Sequence, residues 1–232
     1  HILHNVEKSF TYVLGGEDEM LGVNSIKDLI KIDKIYQKKI KDRIINKGVI
    51  IIDPDTVRLS FDTIVKRGVT IEPFVSIKRG VIIEGNVTIK SHSVIETSTI
   101  GKNSLIGPYA RIRPNSKIGE NVKIGNYVEV KNSIIGNNCS ISHLSYVGDS
   151  SFGKNINVGA GTVTCNYDGK KKQKTIVEDG VFIGSNSSLI APIKIGKNST
   201  IGAGSVITDN IPPNSLALER SKLKILKKNR KK

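Results

Sequence analysis

The side chains best able to move a proton or hold an anion are few. The chain has four histidines: His1, His4, His92 and His143. His143 stands among polar residues, in Ser142-His143-Leu144-Ser145-Tyr146, beside a break in the spacing described below. An ordinary imidazole pKa near ~6.5 suits proton abstraction at neutral pH, typically worth about 10²–10⁴ in rate. A lone histidine on a strand also serves as a packing residue, and the sequence leaves both roles open. Arg113 in Arg111-Ile112-Arg113-Pro114, Lys131 after Glu129-Val130, and Lys172 in a charged run are candidates for holding a phosphate. Arginine grips such a group bidentately, and lysine acts as a point charge. Cations at turns are also commonly just solvated. A metal centre of the imidazole type wants three histidines together; two of the four lie outside the repetitive region, so no metal site is expected. Cys165 is a possible nucleophile, but its position in the repeat favours packing.

The element that must position these groups is a repeat running from about Val65 to Ile207. An aliphatic residue returns every six positions, as in Val65, Ile71, Ile77, Ile83, Ile89 and Ile95, and again in Ile106, Ile112, Ile118, Ile124 and Val130. Glycine often follows it, as in Ile124-Gly125 and Ile183-Gly184. Such a period matches neither a helix nor plain strand alternation. It describes a short strand and a tight corner, three of which close one triangular coil of a parallel β-helix. The aliphatics point inward and stack, and Gly or Asn takes the corners because both tolerate positive φ. Roughly seven to eight coils of ~18 residues fit the span, with the coils beginning near Val57. Spacing does not fix handedness. The period slips at Ile95 to Ile100, Val130 to Ile135 and Val147 to Phe152, and breaks between Val158 and Val177 at the charged run Asn166-Tyr167-Asp168-Gly169-Lys170-Lys171-Lys172. A loop that the wall does not need is a candidate functional element.

Composition agrees with this reading. Aromatic content is only 5% with no Trp, as expected of narrow coils with little room for rings. Two cysteines, Cys139 and Cys165, give no disulfide framework, and a reducing cytoplasm is expected. No apolar run reaches transmembrane length, and no signal peptide is evident. The net charge of +15 raises nucleic acid as a partner. Eight Lys or Arg against Asp209 and Glu219 lie in 208–232, however, and the remaining charge is spread over corner lysines such as Lys102, Lys154 and Lys197. That pattern reads as a solvated surface with a basic tail. Ahead of the coils, Ser25 and Asp28 form a capping-box-like start. Ile26, Leu29, Ile30, Ile35, Tyr36, Ile40 and Ile44 give an apolar stripe, and Gly48 ends the helix.

The segments Ile106-Gly107-Pro108-Tyr109-Ala110-Arg111-Ile112-Arg113-Pro114, Gly125-Asn126-Tyr127-Val128-Glu129-Val130-Lys131, His143-Leu144-Ser145-Tyr146-Val147-Gly148-Asp149, and Asn157 through Gly169 with its Asn166-Tyr167-Asp168-Gly169 end resemble one family. It is the acetyltransferase half of the bifunctional bacterial enzyme that makes UDP-N-acetylglucosamine, a precursor of peptidoglycan and lipopolysaccharide. The resemblance covers about 48 to 220. It divides the chain into 1–24, the remnant of a uridyltransferase domain; 25–47, a linker helix; 48–218, the β-helix; and 219–232, a basic tail. The first residue is His1, so the chain is expected to be a piece of something longer, and uridyltransferase activity is not expected of it.

The resemblance implies an all-β, left-handed parallel β-helix that forms a homotrimer with active sites between subunits. It implies acetyl transfer from acetyl-CoA to the amine of glucosamine 1-phosphate. No metal is needed for that step, and Mg would matter only to the missing domain. His143 matches the general base. Glu129 orients the sugar or that base. Arg113, Lys131 and Lys172 match residues near the sugar phosphate, and Tyr146 and Asn157 match sugar-site residues. Ala160, Asn166, Tyr167, Ser185, Ala203 and Arg220 match the acetyl-CoA site. Ser142 departs from the family, which often has Gly there, and the coils before Ile106 are about one fewer than usual. Two alternatives stand beside this reading. One is acetyl transfer to another amino sugar or nucleotide sugar; the other is a nucleic-acid-binding protein that uses the basic tail.

Overall fold

The computed structural model of the protein describes residues 14–16 and 20–219. The capping residues act as the sequence suggests. Asp28 N donates to Ser25 Oγ at 3.2 Å, and Ser25 Oγ donates back to Asp28 Oδ2 at 2.8 Å. The helix runs Ile26–Ile45. Of its apolar stripe, Ile40 and Ile44 are buried, whereas Ile26, Leu29, Ile30 and Tyr36 remain exposed. Polar contacts also dock the helix, among them the Arg58–Asp33 ion pair at 2.7 Å and Lys41 Nζ donating to Pro54 O. Gln37 Nε2 donates to Leu59 O at 2.8 Å, and Leu59 N donates to Gln37 Oε1 at 3.1 Å. This buried amide pairs with the first-coil strand Arg58–Leu59 as another strand would, and so covers an open sheet edge.

From Ile50 to Ala217 the chain winds as a left-handed parallel β-helix of about nine coils. Its short strands form three parallel sheets of ten, nine and eight strands, the faces A, B and C of a triangular prism. Each coil visits A, then B, then C. There are more coils than the repeat suggests because both ends lie outside the even spacing. Ile50–Ile51 already pairs with Thr70–Ile71, and Leu216–Ala217 pairs with Thr200–Ile201.

The inward aliphatics hold the prism together. On face A, Ile106, Ile124, Ile141 and Val158 are in register one coil apart, and all are buried. Each such side chain contributes about 1.5–3 kcal/mol by leaving water. Among the described residues Phe152 is the one ring in this core; the others lie on the outside. Phe74, His92, Tyr109 and Tyr127 occupy successive A-to-B corners with φ of 61°, 61°, 55° and 55°. Bulky side chains seldom adopt that region. Here their rings stack, with centroids 4.9, 4.7 and 5.2 Å apart; such pairs are worth about 0.5–1.5 kcal/mol each. Leu144, φ 48°, continues the same edge.

The three slips in the period all fall at the opposite, B-to-C edge, where Thr97, Asn132 and Asp149 turn the chain at φ of 41°, 46° and 49°. The loop between Val163–Cys165 and Thr175–Val177 leaves the wall at that edge too. One corner therefore absorbs every irregularity of the middle coils. No helix among the described residues is long and apolar enough to cross a membrane.

Candidate active site

His143 ends the face-A strand Ser140–His143, at the A-to-B edge, with its side chain exposed. Its position is set by the coil before it, where Asn126 ends the strand Lys123–Asn126 in register with it. Leu144 N donates to Asn126 O at 3.0 Å, and Ser145 Oγ donates to His143 O at 2.8 Å. The imidazole Nδ1 lies 2.7 Å from Asn126 Oδ1. Close approach of these two coils depends on Gly125, since a Cβ there would sit 1.9 Å from Ser142 O. In later coils the position equivalent to His143 is held by Ala160, Ser185 and Ala203, each two residues past an inward aliphatic: Val158, Ile183 and Ile201. The edge thus carries a column of small side chains running away from the imidazole, about 14 Å over three coil spacings.

Face B beside this edge is charged. Arg113 Nη1 donates to Glu129 Oε1 at 2.8 Å, and Arg111 Nη1 lies 3.6 Å from the other carboxylate oxygen. The Glu129 carboxylate holds the Arg113 guanidinium above its ordinary, already high pKa. Tyr146 pairs in register with Glu129. Lys131, at the far end of the same strand, meets Lys172 of the loop. The facing Lys172 ammonium is the main cause that pulls Lys131 below the usual lysine range, and Arg113 adds to it. Three cations thus gather around one stretch of wall.

The loop that delivers Lys172 is tied down at its root. Asn166 Nδ2 donates to Asp149 Oδ2, Asn132 Nδ2 donates to Asp149 Oδ1 at 2.5 Å, and Thr175 N donates to Asp149 O at 3.3 Å. At its tip the Asp168 carboxylate accepts from Lys171 N at 2.8 Å, Lys170 N at 2.9 Å and Gln173 Nε2 at 3.2 Å. These donors, the Lys171 amide foremost, lower its pKa. A depressed carboxylate pKa supports order above the unfolded value and loses that support as pH falls through the folded one, so the loop is expected to loosen only below about pH 4. Asp168→Ala is expected to raise the rate of tryptic cleavage at Lys170, Lys171 and Lys172 several-fold at neutral pH. An unchanged digestion rate would show that the carboxylate does not order the tip.

The expected site residues therefore fall on two edges of one prism. His143, Ala160, Ser185 and Ala203 line the A-to-B edge, with Asn157 exposed on face A. Arg113, Glu129, Lys131 and Tyr146 lie on face B. Lys172, exposed Tyr167 and buried Asn166 belong to the B-to-C edge. Glu129 is engaged by arginines, and the side chain that meets His143 is Asn126, to which the sequence reading gave no role. The available signal was its place one coil before His143. Cys165 is half-buried at the loop's root, beside inward Thr164. Arg220, the tail beyond it, His1 and His4 lie outside the described residues. Among the described residues no three of His, Cys, Asp or Glu gather as metal ligands would.

Known proteins agree with this architecture. The bacterial transferase hexapeptide (six repeats) family matches residues 97–132 and 174–209. Bifunctional protein GlmU of Thermosipho africanus is 43% identical over 242 residues, 97% of this chain and 54% of that protein. Bifunctional protein GlmU of a Bradyrhizobium species is 47% identical over 205 residues, 88% of this chain and 46% of that protein. The chain spans about half the length of these curated relatives. In fold it is similar to LpxA, a UDP-N-acetylglucosamine acyltransferase from Bacteroides fragilis, with TM-score 0.63, 24% identity and 69% of each chain covered. By its repeat, its coils and these relatives, the chain is a homologue of about half of bifunctional protein GlmU and carries the repeat of the bacterial transferase hexapeptide family.

Proposed function

We propose that the chain is a glucosamine-1-phosphate N-acetyltransferase that takes its acetyl group from acetyl-CoA. The observation that carries this reading is the column headed by His143: an exposed imidazole, followed along the same edge by Ala160, Ser185 and Ala203, whose small side chains leave room for a slim pantetheine arm. Acetyl-CoA supplies an activated acyl group. His143 takes the proton that the sugar amine sheds as its nitrogen attacks, and returns one to the departing sulfur. Arg113, Lys131 and Lys172 hold the sugar phosphate. Two dianionic oxygens between Lys131 and Lys172 would relieve the repulsion that depresses Lys131. Glu129 fixes the Arg113 guanidinium through one of its five N–H donors, and Tyr146 and Asn157 contact the sugar.

The split between edges supports assembly. Ala160, Ser185 and Ala203 sit on one edge, while Asn166 and Tyr167 sit on another. A donor touching both sets needs the edge of one copy against a different edge of the next. Three copies joined head to tail in this way close a ring, so a homotrimer is the proposed unit. A reaction that draws on acetyl-CoA and a sugar phosphate fits a cytoplasmic setting.

The test is thiol release from acetyl-CoA by the purified chain, with glucosamine 1-phosphate competing against glucosamine 6-phosphate and UDP-glucosamine. Release that depends on glucosamine 1-phosphate is expected. A folded trimer that releases no thiol with any of these acceptors would overturn the reading.

A further inference from the structure

We infer that Asn126 is a positioning residue that fixes the tautomer of His143. The inference rests on the proposed role of His143 as base. An imidazole that accepts a proton through Nε2 must carry its own hydrogen on Nδ1. In this protein the partner of Nδ1 is an amide, with Oδ1 of Asn126 at 2.7 Å. The amide oxygen can only accept, so the bond requires Nδ1–H and leaves the Nε2 lone pair outside it.

The pairing is built into the backbone. Asn126 and His143 are register partners in adjacent coils, and Leu144 N donates to Asn126 O at 3.0 Å. Gly125 permits the approach, because any Cβ there would meet the Ser142 carbonyl. The nearby carboxylate, Glu129, is held by Arg113 and Arg111 and so does not supply this contact. The neutral partner has a chemical consequence. A carboxylate at Nδ1 would stabilise the imidazolium and raise the pKa of the base. An amide orients the ring and fixes its tautomer without bringing a charge to it.

Two measurements test this. In long-range ¹H–¹⁵N spectra of the folded parent chain, neutral His143 is expected as the Nδ1–H tautomer; the Nε2–H tautomer would overturn the inference whatever the activity. In kinetics, Asn126→Ala is expected to lower kcat between about 10- and 100-fold with KM for both substrates little changed. Asn126→Asp, nearly isosteric, is expected to keep the fold and to move the acidic limb of the kcat/KM profile up by about one pH unit. A profile for Asn126→Asp that superimposes on the parent, while His143→Ala is inactive, overturns the role of Asn126 and leaves the base standing. Full activity in His143→Ala would instead remove the base, and this inference with it.

Discussion

Replacing His143 by alanine is expected to lower kcat by about 10²–10⁴ while the chain stays folded. The side chain is exposed, and the bonds that fix its backbone do not involve the ring. Leu144 N donates to Asn126 O, and Ser145 Oγ donates to His143 O; both survive truncation. The loss to stability is that of one partly exposed hydrogen bond to Asn126, on the order of 1 kcal/mol or less. A base acts on the proton leaving in the transition state and does little to hold the ground state, so KM for both substrates should change little. Thiol release under saturating substrates, beside a thermal melt of the same sample, measures both quantities. Parent-like turnover in a melt-matched variant would assign the proton to another group and end the reading of the A-to-B edge as the reactive one.

The wall of the prism was legible because its cause is local. An inward aliphatic every six residues, with Gly or Asn at the corner, dictates coil and core together, and Ile106, Ile124 and Ile141 stack as that spacing requires. At the two ends Ile51 to Leu59 and Ile207 to Ala217 break the rhythm while the ladder of parallel pairs continues; the aliphatic run Val49 to Ile52 before Asp53-Pro54 still reads as a first strand and turn, and Ile50–Ile51 is one. Scarcity of rings was correctly tied to a narrow interior. That the remaining rings would stack on one outer edge at positive φ was not, because Phe74, His92, Tyr109 and Tyr127 are far apart in sequence and carry no corner signature of the Gly or Asn kind. The apolar stripe of the helix misled in part. Only Ile40 and Ile44 reach the coils, and Gln37, a polar residue outside that stripe, makes the two-bond contact with the first strand.

The residue types proposed for the site could be picked out along the chain, but their arrangement could not. The meeting of Lys131 with Lys172 needs a loop to fold back across a corner, and nothing in the run Asp168 to Lys172 specifies that path; Asp149, at a slip in the period, does so by bonding Asn132, Asn166 and the Thr175 amide. Asn126 was hidden for a different reason. A coil spacing counted in residues changes wherever a corner is compressed, so the partner of His143 can be named only once the slip between Val130 and Ile135 has been subtracted. Register, which relates residues one coil apart, is the quantity that turns this sequence into a site.

Ile141→Ala puts that claim to its most severe trial. Ile141 is fully buried, two residues before His143 in the same strand, between Ile124 and Val158. Truncation is expected to lower unfolding free energy by about 2–5 kcal/mol, since a close-packed column cannot collapse to fill the space. In a solenoid each coil touches only its neighbours, so the damage should concentrate at the coil that carries the imidazole. Displacement of His143 against Asn126 by even a fraction of an ångström should then reduce kcat, a misplacement of about 1 Å costing up to about 10²-fold, although no proposed site residue has been changed. Ile71→Ala is the matched control: it is equally buried on the same face, but pairs with Ile51 and Ile89, coils away from His143. Both variants should show a lower urea midpoint of similar size, and only Ile141→Ala should lose turnover at a temperature where both remain folded. Equal turnover in the two would mean that stacking within the coil does not set the position of the base, and that the edge holds its geometry by corner hydrogen bonds alone.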